Sequence, residues 1–411
     1  MIRLLTIFLF LITPYLAFAA TIVVGKDQVI TSLRKAVELA QDRDTILLHP
    51  GIYKEGNIVI AKSIRLIGVN GPVLDGEGKH EILTISGRNI MVKGVHFANA
   101  GYSSVYDYAA LKVIDAENVI LENNVLTNAY FAIHLANTTH GIVRNNRIKS
   151  AATSEQSSGN GIHLWKCNNM VVEDNVIEGH RDGIYFEFVT HSIIQGNTST
   201  RNVRYGLHFM FSNNDAYVNN VFKDNGAGVA VMFSSRVLMH SNVFDHNWGP
   251  SAYGLLLKEI SDSRIIHNRF VQNTAAIHME GTNRVEVQRN SFISNGWALR
   301  VQASCMDNTI YHNNFRGNTF DVATNGATTL NLFYNNYWDK YEGYDLDRNG
   351  TGDVPYHPVS MYSMVIEQNP TTLLLLRSFM VTLLDKAEKA IPSLTPENLV
   401  DETPVLKPLQ L

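Results

Sequence analysis

One short stretch of the chain contains two side chains of the types that bind soft metal ions. The stretch reads GLHFMFS (206–212), which places His208 and Met210 two residues apart. On a β-strand, residues two apart project from the same face. Imidazole and thioether groups favour Cu(I) over harder cations, so this face could hold copper.

Related stretches indicate that this segment is one copy of a repeat. GIYFEFV (183–189) begins 23 residues earlier, and GVAVMFS (228–234) begins 22 residues later. A unit of about 22 residues that tolerates short insertions is typical of one coil of a solenoid. An asparagine recurs at a similar step, at Asn124, Asn146, Asn175, Asn197, Asn220, Asn242, Asn268, Asn290, Asn314 and Asn336.

Hydrophobic residues alternate within each repeat with the period of a β-strand. The second and fourth positions are nearly always apolar, as in AIHLANT (132–138) and GIHLWKC (161–167). These positions would stack inward from coil to coil, and the asparagines would pair between turns. The pattern predicts an all-β fold, a right-handed parallel β-helix that spans residues 20–340.

The segments at both ends differ from the repeat. TSLRKAVELAQ (31–41) has helical periodicity and predicts an N-terminal helix that caps the first coil. Residues 341–369, which begin with an Asp/Asn/Gly-rich stretch, predict a closing loop and linker. Residues 370–391 predict one amphipathic helix within a C-terminal tail (370–411), which either caps the solenoid or docks on a partner at the membrane.

The first residues predict export from the cytoplasm. Residues 1–19 combine a basic start, an apolar run and a small-residue cleavage site, which is typical of a secretory signal peptide. No other segment predicts a membrane span. The net charge of −4 gives no electrostatic reason to expect nucleic acid as a partner. Cys167 and Cys305 lie about six coils apart, too far for a disulfide, and predict two free, inward thiols.

The third and fifth positions of the repeated strand would face outward and bring candidate copper ligands together. Neighbouring coils are about 4.8 Å apart, close enough for their side chains to converge on one ion. The alternative is that the same side chains pack under a loop or form an apolar docking patch for a partner. The candidate ligands are His208, Met210 and Met232, with His163, Tyr185 and Glu187 beside them.

The segment YDLDRNGTGDVPY (344–356) has part of the spacing of an EF-hand-like calcium loop. Its candidate oxygen ligands are Asp345, Asp347, Asn349 and Asp353. Tyr356 stands where such a loop has a bidentate Glu. The segment therefore predicts either a calcium site or a turn, rich in Asp, Asn and Gly, that closes the last coil.

Three segments closely resemble the NosD family, periplasmic β-helix proteins needed to mature nitrous oxide reductase. They are RDGIYFEFVTHSIIQGNTSTRNVRYGLHFMFSNND (181–215), NNYWDKYEGYDLDRNGTGDVPYHPVS (335–360) and the helix containing LLLLRS (373–378). The resemblance implies a role in supplying copper to the copper–sulfide centre of the reductase. It also implies work with an ABC-type ATPase and its membrane permease, and copper exchange with a small copper chaperone.

Two other functions remain open at this point. Residues 44–76 resemble the first coils of the pectin-lyase-like β-helix superfamily. That superfamily includes carbohydrate-active lyases, hydrolases and epimerases, which need paired carboxylates about 5–9.5 Å apart. The outward acids of the repeated strand, Glu187 and Glu280, lie about four coils apart and cannot act as such a pair. Other faces carry Asp182, Asp224 and Asp245, so a carbohydrate-active enzyme stays an alternative, as does a purely structural surface solenoid.

Overall fold

A computed structural model describes residues 19–103, 105–156, 158–326, 330–376, 378–391, 396 and 399–411. The predicted signal peptide (1–19) lies outside these residues except for its last position.

The described residues form short strands in almost unbroken succession. The first are β1 Thr21–Val24, β2 Thr45–Leu48, β3 Ile52–Tyr53, β4 Ile58–Ile60, β5 Arg65–Gly68, β6 Val73–Asp75, β7 Leu83–Lys93, β8 His96–Ala98, β9 Ala109–Glu122, β10 Val125–Thr127, β11 Phe131–Ala136 and β12 Ile142–Arg144. The middle coils contain β13 Arg147–Lys149, β14 Asn160–Trp165, β15 Val171–Glu173, β16 Val176–Glu178, β17 Asp182–Glu187, β18 Ile193–Gln195, β19 Thr198–Thr200, β20 Tyr205–Met210, β21 Ala216–Val218, β22 Val221–Lys223, β23 Ala227–Met232, β24 Leu238–His240 and β25 Val243–Asp245. The last coils contain β26 Tyr253–Lys258, β27 Arg264–Ile266, β28 Arg269–Val271, β29 Ala275–Glu280, β30 Glu286–Gln288, β31 Ser291–Ile293, β32 Trp297–Val301, β33 Met306–Tyr311, β34 Asn314–Arg316, β35 Phe320–Ala323, β36 Leu330–Tyr334 and β37 Tyr337–Trp338.

The strands confirm the predicted right-handed parallel β-helix. A typical coil contributes three strands, such as β17, β18 and β19, and each pairs in parallel with its counterpart one coil away. The first two strands of the coils belong to a 24-stranded sheet and the third to a 13-stranded sheet. A residue in one coil therefore lies directly above its equivalent in the next, and like side chains stack along the axis.

Stacked apolar side chains fill the interior. On the third face, fully buried phenylalanines of successive coils stack with ring centroids 4.5–5.6 Å apart. Aromatic rings at these spacings add attraction beyond the area that they bury. The members of this stack are Phe222, Phe244, Phe270, Phe292 and Phe315.

The repeated asparagines form a buried ladder between coils. The backbone N–H of Asn220 and its Nδ2 both donate to Oδ1 of Asn242, each at 3.0 Å, and Nδ2 also donates to the carbonyl of Ile194. Each such amide satisfies backbone groups that the turn would otherwise leave without partners inside the protein.

The prediction that Asn314 belongs to the asparagine ladder is wrong. Asn313, rather than Asn314, accepts from Asn290, and the side chain of Asn314 bonds instead to Leu409. Asn313 and Asn314 are adjacent in the sequence, and the spacing of the repeat alone does not show which of them joins the ladder. A second buried ladder was not predicted; it comprises Asn202, Asn225, Asn247, Asn273, Asn295 and Asn318.

The last residues of the chain return to the solenoid and terminate the first ladder. Oδ2 of the buried Asp401 accepts hydrogen bonds from the backbone and side-chain nitrogens of Asn336 and from Trp338 Nε1. Val405 bonds to Asn336 through its backbone, and Leu409 bonds to Asn314. Residues 399–411 therefore close the C-terminal end of the β-helix.

The predicted N-terminal helix is present as α1, Leu33–Leu39, with Ser32 as its N-cap. Its buried residues Leu33, Ala36 and Val37 join the solenoid core. The helix therefore covers the first coil, as its amphipathic pattern predicts.

The prediction of a single helix over 370–391 is wrong. A 3₁₀ helix, Pro370–Leu375, is followed by a separate helix α3, Phe379–Ala390, in which Ser378 accepts a hydrogen bond from Val381 N. An additional helix, which we call α2, covers Met361–Gln368. Helix α2 ends before Pro370 because proline has no backbone N–H to donate within a helix. Ser378 begins the next helix because its side-chain oxygen accepts a hydrogen bond from the first turn of α3. Along the chain, the α-helices of the described residues are therefore α1, α2 and α3.

Helices α2 and α3 lie against the outer face of the last coils. Tyr362, Ile366 and Val381 pack on Phe320 in a small separate core. Glu367 accepts two hydrogen bonds of 2.9 Å from Arg300 of β32. Among the helices of the described residues, none is long and apolar enough to cross a membrane.

Both cysteines are free and buried, as predicted. Burial raises the pKa of Cys167 to about 11 and also raises that of Cys305. Because the thiolate is the metal-binding form, neither sulfur is suited to bind copper without rearrangement.

Candidate metal-handling site

The candidate copper ligands lie on the first strands of four successive coils. Strand register places His163 beside Tyr185, and Tyr185 beside His208. It also places Met210 between Glu187 and Met232. The structure therefore brings all six predicted side chains together in two parallel columns.

The first column is a stack of aromatic rings. The ring centroids of His163 and Tyr185 are 4.8 Å apart, and those of Tyr185 and His208 are 4.6 Å apart, with interplanar angles of 12° and 9°. His134 continues the stack one coil earlier, 4.8 Å from His163. In-register parallel strands impose this spacing on any rings that share a position.

The rings are less exposed than predicted. The exposed fractions of His134, His163 and His208 are 6%, 8% and 6%. Each ring covers its neighbour, and Tyr205 packs on His208 with a centroid distance of 4.9 Å. Strand alternation predicts that a residue faces outward, but it does not predict how neighbouring side chains cover it.

Several ring nitrogens in this column have no hydrogen-bond partner among the described residues. Both nitrogens of His163 and both of His208 are buried and unpaired within that part of the chain, as is Nδ1 of His134. Burial lowers the pKa of His208 to about 4 and that of His134 to about 3. These two imidazoles are neutral at neutral pH and offer a lone pair, which is the form that binds metals.

The second column supplies the thioethers. Met210 and Met232 are half-buried on adjacent coils. Tyr185 Oη donates a hydrogen bond of 3.5 Å to Met210 Sδ, which links the two columns. Glu187 Oε2 lies 3.8 Å from His163 Nε2, beyond hydrogen-bond distance. One face thus carries the imidazoles of His163 and His208 in the first column, and the carboxylate of Glu187 and the thioethers of Met210 and Met232 in the second.

A buried ion pair supports this face from one side. Asp182 is fully buried and accepts hydrogen bonds from Arg204 Nε at 2.9 Å and Arg204 Nη2 at 2.5 Å. Its Oδ2 lies 4.0 Å from His208 Nδ1. The carboxylate of Asp182 therefore lies beside the imidazole of His208 without a hydrogen bond to it.

Sequence reasoning missed three contributors to this site. His134 occupies position three of its strand, beside His163, and is not among the predicted copper ligands. Asp182 was noted only as an acid of another face, and Arg204 was not considered. The spacing of 22 residues between Asp182 and Arg204, one coil, is the signal that could have indicated the pair.

The predicted calcium loop forms a tight, exposed turn. Asp345 accepts hydrogen bonds from the backbone N–H groups of Asn349 and Gly350, and Asp347 accepts from the N–H and Nδ2 of Asn349. Asp353 accepts from Leu346 N. The backbone N–H of Gly350 is the main reason that the pKa of Asp345 lies below its ordinary value. Oxygens that a cation would use are thus occupied by donors of the loop itself.

Among the described residues, no three His, Cys, Asp or Glu side chains are grouped so that they could hold a metal ion. His163, His208 and Glu187 therefore do not form such a group by themselves, and the two methionines among the copper candidates are not residues of these four types. For the Asp-rich turn, calcium binding stays a prediction.

A calcium site in this turn would raise the melting temperature of the wild-type protein when calcium is added, and Asp347→Ala would abolish the rise, because a bound ion stabilises only the folded state. The measurement is thermal unfolding with and without calcium. Asp262→Ala, a change at an exposed carboxylate of another loop, is the control. If calcium leaves the wild type unchanged, the segment is a turn only.

The fold and this face define a class of protein: a parallel β-helix whose outer surface offers soft metal ligands. The sequence model of the family described as "Periplasmic copper-binding protein (NosD)" matches residues 144–346, which contain all six copper candidates. The chain is 29% identical over 382 residues to the "Probable ABC transporter binding protein NosD" of Pseudomonas aeruginosa, covering 86% of each chain. It is 26% identical to the protein of the same name from Stutzerimonas stutzeri, covering 88% of this chain and 86% of that one. The family model and both relatives thus agree on the NosD family as the family that this chain resembles.

Two solved structures share the fold at low identity. PfbA, a surface adhesin of Streptococcus pneumoniae, is 13% identical, with a TM-score of 0.56 over 69% of this chain and 85% of that one. The catalytic unit of a GH87 α-1,3-glucanase from Streptomyces thermodiastaticus is 14% identical, with a TM-score of 0.59 over 75% of this chain and 62% of that one. An adhesin and a glucanase on one architecture show that the β-helix by itself does not define a function.

Proposed function

We propose that this protein is an exported accessory factor that takes up Cu(I) at the His/Tyr/Met face and passes it on for assembly of the copper–sulfide centre of nitrous oxide reductase. One observation carries the proposal. Half-buried Met210 and Met232 lie beside imidazoles whose buried nitrogens have no hydrogen-bond partner. Leaving such groups unpaired costs free energy, which a bound ion would recover.

Copper is the cargo in this proposal, and the protein's residues hold it only in passing. Met210, Met232 and His208 are the proposed ligands, with His163, Tyr185 and Glu187 next to them. The two half-buried thioethers form the entrance, since the ring nitrogens of His208 are covered. Burial raises the pKa of the Tyr185 hydroxyl to about 12, so the hydroxyl stays protonated. Its hydrogen bond to Met210 Sδ uses one lone pair of the sulfur and leaves the other for the metal.

The family resemblance supplies the proposed partners. A small copper chaperone would deliver Cu(I), an ABC-type ATPase with its membrane permease would work with the protein in the periplasm, and the reductase would receive the metal. The names of the two relatives, which call them ABC transporter binding proteins, support the transporter part of this proposal.

Met210→Leu together with Met232→Leu is expected to lower Cu(I) affinity at least tenfold. The substitution removes both sulfurs while keeping apolar side chains of similar volume, so folding should be little affected. The measurement is an anaerobic Cu(I) titration of the mature protein against a competing chelator. Met306→Leu, which changes an exposed methionine of β33, is the matched control.

Unchanged copper affinity in a folded double variant would exclude the two sulfurs as ligands. A polysaccharide-cleavage assay with the wild type addresses the carbohydrate-active alternative. Robust product release there would contradict the proposal.

A further inference from the structure

Three phenylalanines form an exposed column next to the methionines. Phe188, Phe211 and Phe233 follow position five of three successive coils, and their side chains are 44%, 37% and 40% exposed. Their rings stack in order, with centroids 5.1 Å apart and interplanar angles of 8° and 16°. We call these three residues the phenylalanine ridge.

The backbone of the ridge is unfavourable for these residues. Their φ angles are +54°, +53° and +53°, in the left-handed region that bulky side chains rarely adopt. Other coils place Asn137, Lys166, Glu259 and Gly281 at the equivalent position, all with positive φ. The solenoid therefore accepts Asn or Gly here at lower conformational cost, so its fold does not require phenylalanine.

The ridge is continuous with the proposed copper site. Phe211 directly follows Met210, and Phe233 directly follows Met232, so the ridge and the two thioethers adjoin along the chain. The ridge carries no charge, whereas exposed Lys166 and Glu259 occupy the next coils at its two ends. The backbone N–H groups of this column bond successively to carbonyls of the next coil, which fixes the order from Lys166 to Glu259.

We infer that the phenylalanine ridge is the docking surface for the protein that hands Cu(I) to this chain, an inference that rests on the proposed function. The complementary surface is apolar at its centre, with an acidic group opposite Lys166 and a basic group opposite Glu259. Exposed phenylalanine beside half-buried methionine is typical of interfaces where sulfur and aromatic groups pack together. Opposite charges at the two ends set the direction in which the donor binds.

The test uses Phe188→Asn, Phe211→Asn and Phe233→Asn combined. Asn adopts the left-handed conformation readily, and Asn137 already occupies this position two coils before Phe188 with a positive φ, so the variant should fold. The probe is the copper chaperone of the same organism, without metal for calorimetric binding and loaded with Cu(I) for transfer. We expect at least tenfold weaker binding and slower transfer, with Cu(I) affinity against a chelator unchanged.

A second variant retains the ridge and reverses its ends. Lys166→Glu with Glu259→Lys is expected to weaken chaperone binding and to change its salt dependence. Leu330→Asn with Leu332→Asn removes two exposed apolar side chains of β36 and is the matched control, expected to bind as the wild type does.

Chaperone binding by the triple variant at wild-type strength would overturn the inference. If the triple variant does not fold, wild-type binding by the charge-reversed variant overturns it instead. Loss of chelator-measured Cu(I) affinity in the triple variant would also overturn it, by assigning the ridge to the metal site. If the wild type binds the chaperone through the ridge but binds no Cu(I), the proposed function fails while the docking surface stands.

Discussion

Asp215→Asn is expected to stabilise the protein against unfolding by about 3–4 kcal/mol at pH 7. Asp215 is 2% exposed, and its Oδ1 accepts a hydrogen bond of 2.8 Å from Ser192 N. Its Oδ2 is buried without a partner. Burial raises the pKa of this carboxyl from 3.8 to about 8, which makes it neutral in the folded protein at pH 7.

The direction of the pH dependence follows from the proton count. Between pH 4 and pH 8 the folded state keeps a proton on Asp215 that the unfolded state has lost. Folding stability from this group is therefore full below about pH 4 and falls as the pH rises toward 8. An amide has no such proton, so the advantage of Asp215→Asn should grow over this window.

The structure already shows that an amide fits the equivalent position. Four coils later, Asn308 Oδ1 accepts from Val285 N, as Asp215 accepts from Ser192 N, and its Nδ2 donates to the carbonyl of Thr282. For Asp215 the equivalent acceptor is the carbonyl of Val189, which lies one coil earlier, as Thr282 does for Asn308. An amide at position 215 can donate to this carbonyl.

Chemical denaturation from pH 5 to pH 8 measures this effect. Asp262→Asn is the control, because its exposed carboxylate pairs with Arg284. A stability difference between Asp215→Asn and wild type that does not change with pH would contradict the assignment of a neutral, buried carboxyl.

Truncation before Pro370 is expected to destabilise the last coils, whereas internal excision of residues 361–398 is expected to leave them folded. These residues are called the helical segment because they include α2 and α3. The truncation removes Asp401 and its three hydrogen bonds to Asn336 and Trp338, a loss of about 3 kcal/mol or more. Excision retains these bonds.

The two ends of the helical segment lie close enough for a short replacement. Tyr356 and Asp401 face each other in an antiparallel bridge, with N–H to O distances of 2.9 and 2.8 Å. A linker of about eight Gly and Ser residues can therefore join residues 360 and 399. The excised segment contains the exposed apolar residues Leu374, Leu375, Phe379, Met380 and Leu383.

The excised protein is expected to bind Cu(I) normally but to lose co-purification with the membrane permease. The exposed apolar side chains of 374–383 form a patch of the kind that marks interaction sites. Circular dichroism and thermal unfolding measure the fold, and affinity purification measures the association. Retained association after excision would contradict the docking role, and unfolding after excision would assign the segment to the cap. Leu374→Ser with Phe379→Ser, which removes two of the most exposed side chains, separates these outcomes without shortening the chain.

The sequence alone determined the architecture of this protein. The 22-residue step and the apolar second and fourth positions specify a coil, because a parallel β-helix places equivalent residues on top of each other. The same rule placed His208, Met210 and Met232 on neighbouring coils, and the structure brings them together there. Ser32 and the helical pattern after it likewise determined α1. These features depend on local spacing, which a sequence shows directly.

Only the tertiary structure decided how the outward side chains are covered. Rings at one position stack at 4.6–4.8 Å and bury each other, so His163 and His208 are nearly inaccessible although their positions face outward. Asp182 and Arg204 meet across one coil in an ion pair whose carboxylate is fully buried and whose guanidinium is partly exposed. Alternation fixes the direction of a side chain, but its burial depends on neighbours that lie 22 or more residues away in the chain.

Long-range closure was also beyond the sequence. Asp401 ends the asparagine ladder 65 residues after Asn336, with no spacing in common with the repeat. The helical segment between them consequently belongs to an insertion in the cap rather than to a free tail. Contacts between distant segments are set by the geometry of the last coil, and that geometry exists only after the chain has folded.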